Sequence, residues 1–223
     1  MSKNLFVTAT GTDVGKTYVS ALIVKKMREK GYNCGYFKPV MSGVIEKDGK
    51  LIESDCNFVV NFANVKEKAD DCVSYWWKEA VSPHLAAKRA GMKIDIQKIL
   101  TDFKEKTEKY DYLLIEGAGG ITCPLSLENN EKYLLSDLIC ELKSPIVIVA
   151  DGGLGTINST VLTVEYAKNR QIPVNGIILN NFDSGNFMHQ DNLKQVEYLT
   201  GINVVETVSK NAIDIKLLKN FFG

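Results

Sequence analysis

Lys16 and Thr17 follow Gly15 at the end of Phe6-Val7-Thr8-Ala9-Thr10-Gly11-Thr12-Asp13-Val14-Gly15. That order of residue types suits the grip of a nucleoside triphosphate. An apolar strand, a short loop and the mouth of a helix bring backbone N–H groups and the positive end of a helix dipole to one point, where phosphates are stabilised. Lys16 adds a full positive charge, and the Thr17 hydroxyl is a ligand for Mg²⁺. The pattern G-x-x-x-x-G-K-[ST] is met at Gly15, Lys16 and Thr17, but Thr10 stands at its first glycine. Gly11, next along, is expected to supply the tight backbone.

A magnesium ion bridging phosphates needs oxygen ligands beyond one hydroxyl. Glu116 closes the apolar run Tyr112-Leu113-Leu114-Ile115, where a strand-end metal acid belongs, and Gly117-Ala118-Gly119-Gly120 lets backbone approach a ligand. The alternative is a solvated strand-end carboxylate. Asp55, in Glu53-Ser54-Asp55, reads on its own as a helix N-cap rather than a ligand. Lys38, in Tyr36-Phe37-Lys38-Pro39-Val40-Met41-Ser42-Gly43, either closes a strand or points toward the rim that carries Lys16. Two ammonium groups there suit charge building on transferred oxygens. Ser42-Gly43 offers a hydroxyl and an amide. Ser82-Pro83-His84 has the form of a helix start, Ser82 as N-cap and Pro83 at the first position, and such an end binds a small polar or anionic group or is only a capped helix. His84 reads as a structural histidine. Gly155-Thr156-Ile157-Asn158 opens another helix, suited to a carboxylate in the same way, and Tyr75-Trp76-Trp77 reads as packing or an interface strand.

The elements that position these residues alternate. Apolar strands near Asn4–Ala9, Asn33–Lys38 (ending at Pro39), Tyr112–Glu116, Ile146–Ala150 and Val174–Asn180 are interleaved with helices. The helices are expected near Gly15–Lys30, Ser54–Asn64, Pro83–Ala90, Ile96–Lys109 and, last, Ile213–Phe222. Val19, Leu22, Ile23 and Met27 share one face of the first helix, and Gly31 ends it. Glu46-Lys47-Asp48-Gly49-Lys50 reads as a solvated hairpin or loop. This is the pattern of an α/β fold, a mainly parallel sheet flanked by helices in the P-loop NTPase manner, in one domain over residues 1–223. The strands stop at polar or glycine-rich turns, so the candidate residues gather at one rim, outside the strands' carboxyl ends.

Composition narrows the function. The 223 residues are 45% hydrophobic, enough for a full core, and 27 basic residues balance 27 acidic ones. Neither a nucleic-acid groove nor a membrane surface is expected from that balance. No apolar run nears the roughly 20 residues of a membrane helix. Met1-Ser2-Lys3-Asn4 passes directly into the first strand, so no signal peptide and a soluble, cytoplasmic protein are expected. Cys34, Cys56, Cys72, Cys123 and Cys140 lack CxxC spacing. They read as reduced thiols in or near the core, with Cys123 beside a site loop.

Taken in order, Thr8–Thr17, Tyr36–Gly43 (with Lys-Pro-Val-x-Ser-Gly), Ser54-Asp55, Ser82-Pro83-His84, Glu116–Gly120 (Glu-Gly-Ala-Gly-Gly), Leu154–Asn158 and Asn180-Asn181 resemble the dethiobiotin synthetase family over nearly the whole chain. The resemblance implies a homodimer with a shared active site, acting on 7,8-diaminononanoate, CO₂ and MgATP. An amine takes up CO₂ as a carbamate, ATP phosphorylates it, and the second amine closes a cyclic urea. Lys38, assisted by Lys16, would be catalytic. Asp13, Val14, Gly15, Lys16, Thr17, Tyr18, Asp55, Glu116, Gly117, Ala118, Gly119, Asn180 and Asn181 would bind ATP, with Asn180 reading adenine. Thr17, Asp55 and Glu116 would hold Mg²⁺. Thr12 and Ser42 would touch the carbamate end and Pro83 the substrate, while Gly155, Thr156, Ile157 and Asn158 from the partner subunit would hold its carboxylate tail.

The chain departs from the family pattern at three places. Ala9 and Thr10 stand where glycine is frequent, Ser209 in Glu206–Lys210 where proline is expected on the adenine side, and Asn181 where aspartate is frequent. An alternative with the same fold is an ATP-driven dimerisation switch of the partitioning or septum-site kind. Those proteins carry a signature lysine near Thr10 or Gly11, which this chain lacks.

Overall fold

A computed structural model of the chain describes residues 2–128, 131–216 and 222. The expected strands form as β1 (Lys3–Ala9), β2 (Cys34–Ser42), β6 (Tyr112–Glu116), β9 (Ile146–Asp151) and β10 (Val174–Asn180). Edge strands β5 (Val73–Trp77) and β11 (Val204–Val208) complete a seven-stranded sheet of order β11-β10-β9-β1-β6-β2-β5, with every ladder parallel. Helices α1 (Lys16–Glu29), α2 (Asp55–Phe62), α3 (Pro83–Arg89), α4 (Ile96–Lys109), α5 (Leu135–Leu142), α6 (Thr156–Asn169) and α7 (Phe187–Thr200) flank it. Two small hairpins, β3 (Ile45–Lys47) with β4 (Lys50–Glu53) and β7 (Pro124–Glu128) with β8 (Glu131–Leu134), stand apart.

Successive strand residues point to opposite faces, so each strand feeds two cores. Leu5, Val7, Leu114, Val147 and Ile178 bury against α1 and α2, whereas Phe6, Leu113, Ile115, Ile148 and Ile177 bury against α3 to α7. After β6 the chain crosses to the far side of β1, and the crevice left at the carboxyl end of β1 is where parallel sheets receive ligands.

Several expectations are corrected or refined. Strand β2 runs through Pro39 to Ser42, because β5 pairs with Lys38, Val40, Met41 and Ser42 and skips the residue that has no N–H. Helix α1 buries Ser20, Ala21 and Val24 as well as its expected face, being packed on both the sheet and α2. Cys34, Cys56 and Cys72 are buried and Cys123 half-buried, but Cys140 is exposed. Ile213–Lys216 are not helical, and the rest of the expected last helix lies outside the described residues apart from Phe222. The segment at Glu46–Lys50 is a hairpin whose tip, Asp48 and Gly49, takes the left-handed pair of a tight two-residue turn.

Gly35 is the second residue of β2, beneath the Tyr110 ring. A Cβ built there falls 2.3–2.5 Å from three ring atoms. Gly35→Ala should therefore overpack the β2–β6 region and lower stability by about 1–3 kcal/mol, read as a lower urea midpoint with an unchanged slope.

Candidate active site

The loop after β1 leaves the sheet at Thr10, whose N–H still bonds to the Val149 carbonyl. It turns at Asp13 (φ 61°) and Gly15 (φ 91°), not at Gly11 as expected, so a first glycine is not what bends it. Gly15 is required twice over. Its φ favours glycine, and a Cβ there would lie 2.1 Å from Asn180 Nδ2, which donates to the Val14 carbonyl at 3.0 Å. The end of β10 thus braces the loop. Lys16, the first residue of α1, arches back to donate to the Gly11 carbonyl at 3.1 Å.

Opposite the loop, side chains from β2, β6 and α2 meet Thr17 of α1. Tyr36, Lys38, Leu114 and Glu116 follow the pleat onto the α1 face of the sheet, since Phe37 pairs with Ile115 and each next residue but one shares a face. Lys38 Nζ lies 2.5 Å from Glu116 Oε1 and 2.6 Å from Asp55 Oδ2. Thr17 Oγ1 donates to the same Glu116 Oε1 at 2.8 Å, and the Tyr36 hydroxyl to Oε2 at 2.9 Å. Asp55 is free to face Lys38 because the helix cap is Ser54, whose Oγ accepts from the Asn57 N–H. The N-cap role read for Asp55 belongs to its neighbour.

The charges are strongly coupled. Burial lowers the pKa of Lys38, but the Glu116 and Asp55 carboxylates overcome it and hold the ammonium above the ordinary lysine range. Burial raises Asp55, and Lys38 more than offsets this, holding the carboxyl below its ordinary value. Lys16 is pulled down, first by burial and then by the like charge of Lys38. Burial and Glu116 drive the Tyr36 phenol well above its usual value, so it keeps its proton and donates. Burial also raises the Cys123 thiol, to about 11.

Thr12, Asp13, Gly15, Lys16, Thr17, Tyr18, Lys38, Ser42, Asp55, Ala118 and Gly119 line one cavity of about 550 Å³. Gly117 instead donates to the Val7 carbonyl, extending the sheet. Ser42 Oγ donates to the Val81 carbonyl at 2.7 Å, which ties the cavity wall to the segment before buried Pro83. Ser82 occupies the cap position of α3, but its side chain makes no capping bond there. Asn181 lies elsewhere, with Ser209 and Lys210, in a second cavity of about 610 Å³ where β10 and β11 end. Gly155, Thr156, Ile157 and Asn158 line neither cavity, and Gly155 and Asn158 are exposed. Met41, Phe58 and Tyr36 were not singled out by the sequence. Only the two-residue step from Tyr36 to Lys38 along a strand signals that they share a face.

Thr17 Oγ1 and Asp55 are hard oxygens lining the cleft, buried Glu116 Oε1 lies against Thr17 and Lys38, and a positive charge, the Lys38 ammonium, already sits where the two carboxylates converge. That donor set fits Mg²⁺ completed by phosphate and water oxygens.

A parallel sheet carrying a strand–loop–helix phosphate grip after its first strand defines a P-loop NTPase. A family model described as an AAA domain matches residues 3–213. An ATP-dependent dethiobiotin synthetase BioD of Clostridium botulinum (strain Eklund 17B) is 46% identical over 225 residues, covering 100% of this chain and 99% of the relative. One from Brachyspira hyodysenteriae is 47% identical, covering 93% and 92%. The chain belongs to the ATP-dependent dethiobiotin synthetase family, and it is an enzyme. Among solved structures, the MinC:MinD cell division complex of Aquifex aeolicus aligns with TM-score 0.56 at 12% identity over 94% of this chain and 82% of that one. A ParA family ATPase from Chlorobium tepidum aligns at 0.54 and 14%, covering 94% and 86%. Those likenesses are of fold alone.

The Lys38–Asp55 contact makes stability depend on pH. Asp55 titrates lower when folded than when unfolded, so its contribution is whole above about pH 4 and is lost as acid protonates it. Lys38 titrates higher when folded, so the contact persists through neutral and mildly alkaline pH. Asp55→Asn should be less stable than the parent at pH 7, with the gap narrowing toward pH 3 in urea midpoints. A gap that is absent, or constant with pH, contradicts the pairing.

Proposed function

We propose that this enzyme, as one domain, forms dethiobiotin from 7,8-diaminononanoate, CO₂ and ATP, releasing ADP and phosphate. Family membership supports the reaction. The observation that carries the residue roles is the placement of Lys38 beside the phosphate loop, in one cavity with Lys16, Thr17 and Asp55 and paired with buried Glu116 behind it.

CO₂ capture requires only an unprotonated substrate amine, so the protein's work is positioning and charge stabilisation. Lys38 holds the carbamate oxygens as the amine adds to CO₂, with Thr12 and Ser42 at the same end. Lys16 and the loop amides hold the β- and γ-phosphates. Magnesium, held by Thr17, Asp55 and Glu116, would neutralise charge on those phosphates. Attack of a carbamate oxygen on the γ-phosphorus gives a carbamic–phosphoric anhydride and ADP, with Lys16 and Lys38 balancing the charge. The second amine then attacks the anhydride carbon, phosphate leaves with the carbon–oxygen bond, and the amine proton goes to solvent. Asn180 and the cavity at Asn181 and Ser209 would receive the adenine.

The far end of the substrate falls to a second copy of the chain. Leu154 (93% exposed), Leu162 and Phe187 (86% exposed) are apolar and uncovered around Gly155–Asn158, where burial against another copy would remove them from water. A homodimer working in the cytoplasm follows as part of the reading. No helix among the described residues is long and apolar enough to cross a membrane.

Incubation with the diamine, bicarbonate and MgATP should yield a product heavier by one carbonyl less two hydrogens, seen by mass spectrometry. Lys38→Ala should cut that turnover at least about a hundredfold while nucleotide binding, measured by calorimetry, survives. Unaltered turnover removes Lys38 from the chemistry. Asn158→Ala should raise the diamine KM by about tenfold, as for loss of a hydrogen bond to a charged group, with the ATP KM nearly unchanged. The opposite pattern counts against a shared site.

A further inference from the structure

Glu116 is fully buried and accepts three hydrogen bonds, but they are not equivalent. Lys38 Nζ and Thr17 Oγ1 both reach Oε1, from the cavity side, at 2.5 and 2.8 Å. The Tyr36 hydroxyl reaches Oε2 at 2.9 Å, from inside the sheet–helix core. Tyr36 is 0% exposed and packs among the apolar residues of the α1 face, so its hydroxyl has no water to turn to. A phenol is a rigid lever with one polar tip, and strand β2, hydrogen-bonded to β6 through Phe37 and Ile115, fixes where that tip falls.

We propose that Tyr36 is a positioning residue for the metal-ligating carboxylate: by clamping Glu116 Oε2, it keeps Oε1 turned toward Thr17 and Asp55. The inference rests on the metal role given to Glu116 above. A cation entering the cleft competes with the Lys38 ammonium for Glu116 Oε1 and Asp55 Oδ2. Thr17, as a metal ligand, offers its oxygen to the cation and turns its proton away. Of the three donors, only Tyr36 keeps its bond through that exchange. Without the phenol hydroxyl, Glu116 is free to rotate about its terminal torsion, and Oε1 is no longer fixed beside Thr17. Partners that orient a metal ligand through its second atom are typically worth about 10–100-fold in metal affinity.

The test is Tyr36→Phe, which deletes one oxygen and keeps the ring, studied in the full-length protein with ADP and Mn²⁺ as a paramagnetic probe. Mn²⁺ affinity of the protein–ADP complex, read by electron paramagnetic resonance, should fall about tenfold or more. ADP affinity measured in EDTA should stay the same, which shows that the loop and fold are intact. In a Glu116→Gln background the same Tyr36→Phe change should cost nothing further, because the hydroxyl acts only through the carboxylate. Unchanged Mn²⁺ affinity in Tyr36→Phe overturns the proposal and leaves the metal site standing. Equal losses of Mn²⁺-dependent and metal-free ADP binding, or the same loss with Glu116 already replaced, assign Tyr36 to packing and also overturn it. If the parent–ADP complex binds no Mn²⁺, the metal reading itself fails and this inference with it.

Discussion

The Lys38 ammonium, shared between Glu116 Oε1 and Asp55 Oδ2, is the contact on which the rest of the site depends. Glu116 is completely buried and Lys38 nearly so. Taking either charge out of water alone costs several kcal/mol, and removing one partner of such a pair typically costs about 3–5 kcal/mol. The pair therefore holds strand β2, strand β6 and the start of α2 in one register. It also keeps a cation at the point where two carboxylates converge, beside a loop built to hold anions. The charges of the cleft are balanced internally before any ligand arrives, and a ligand of mixed charge can exchange with them piece by piece.

That arrangement needs particular backbone choices. Strand β2 must continue past Pro39 so that Lys38 and Ser42 both reach the cavity, and β5 provides the edge that carries it there. Helix α2 must be capped by Ser54 so that the next residue can spend its carboxylate on Lys38. The phosphate loop must tolerate a left-handed Gly15 pressed against Asn180, which connects β10 to the loop through the Val14 carbonyl. The fold itself is shared with MinD and ParA proteins at 12–14% identity.

Much was legible in the residues alone, and for identifiable reasons. Strands buried on both faces read as continuous apolar runs, so Tyr112–Glu116 and Val174–Asn180 have the boundaries the pattern predicts. The phosphate grip is local, made by consecutive residues, and its chemistry is written in their order. Less was legible where burial is shallow. Helix α7 buries only Asn192, Val196 and Thr200, and β11 is mostly half-buried, so neither carries a strong periodic signal.

The sequence by itself determined the parallel α/β class, the phosphate loop, the helix at Ile96–Lys109 and the set of residues available at the strand ends. Order along the chain suffices for these, because helices, strands and loops are set by neighbours a few positions apart. Only the tertiary structure decided that Lys38 lies between Asp55 and Glu116, that Tyr36 holds the far oxygen of that glutamate, and that Asn180 braces the loop 166 positions away. Contacts between such distant positions depend on strand register and on which face of the pleat each side chain takes, and those are fixed only when the strands pair.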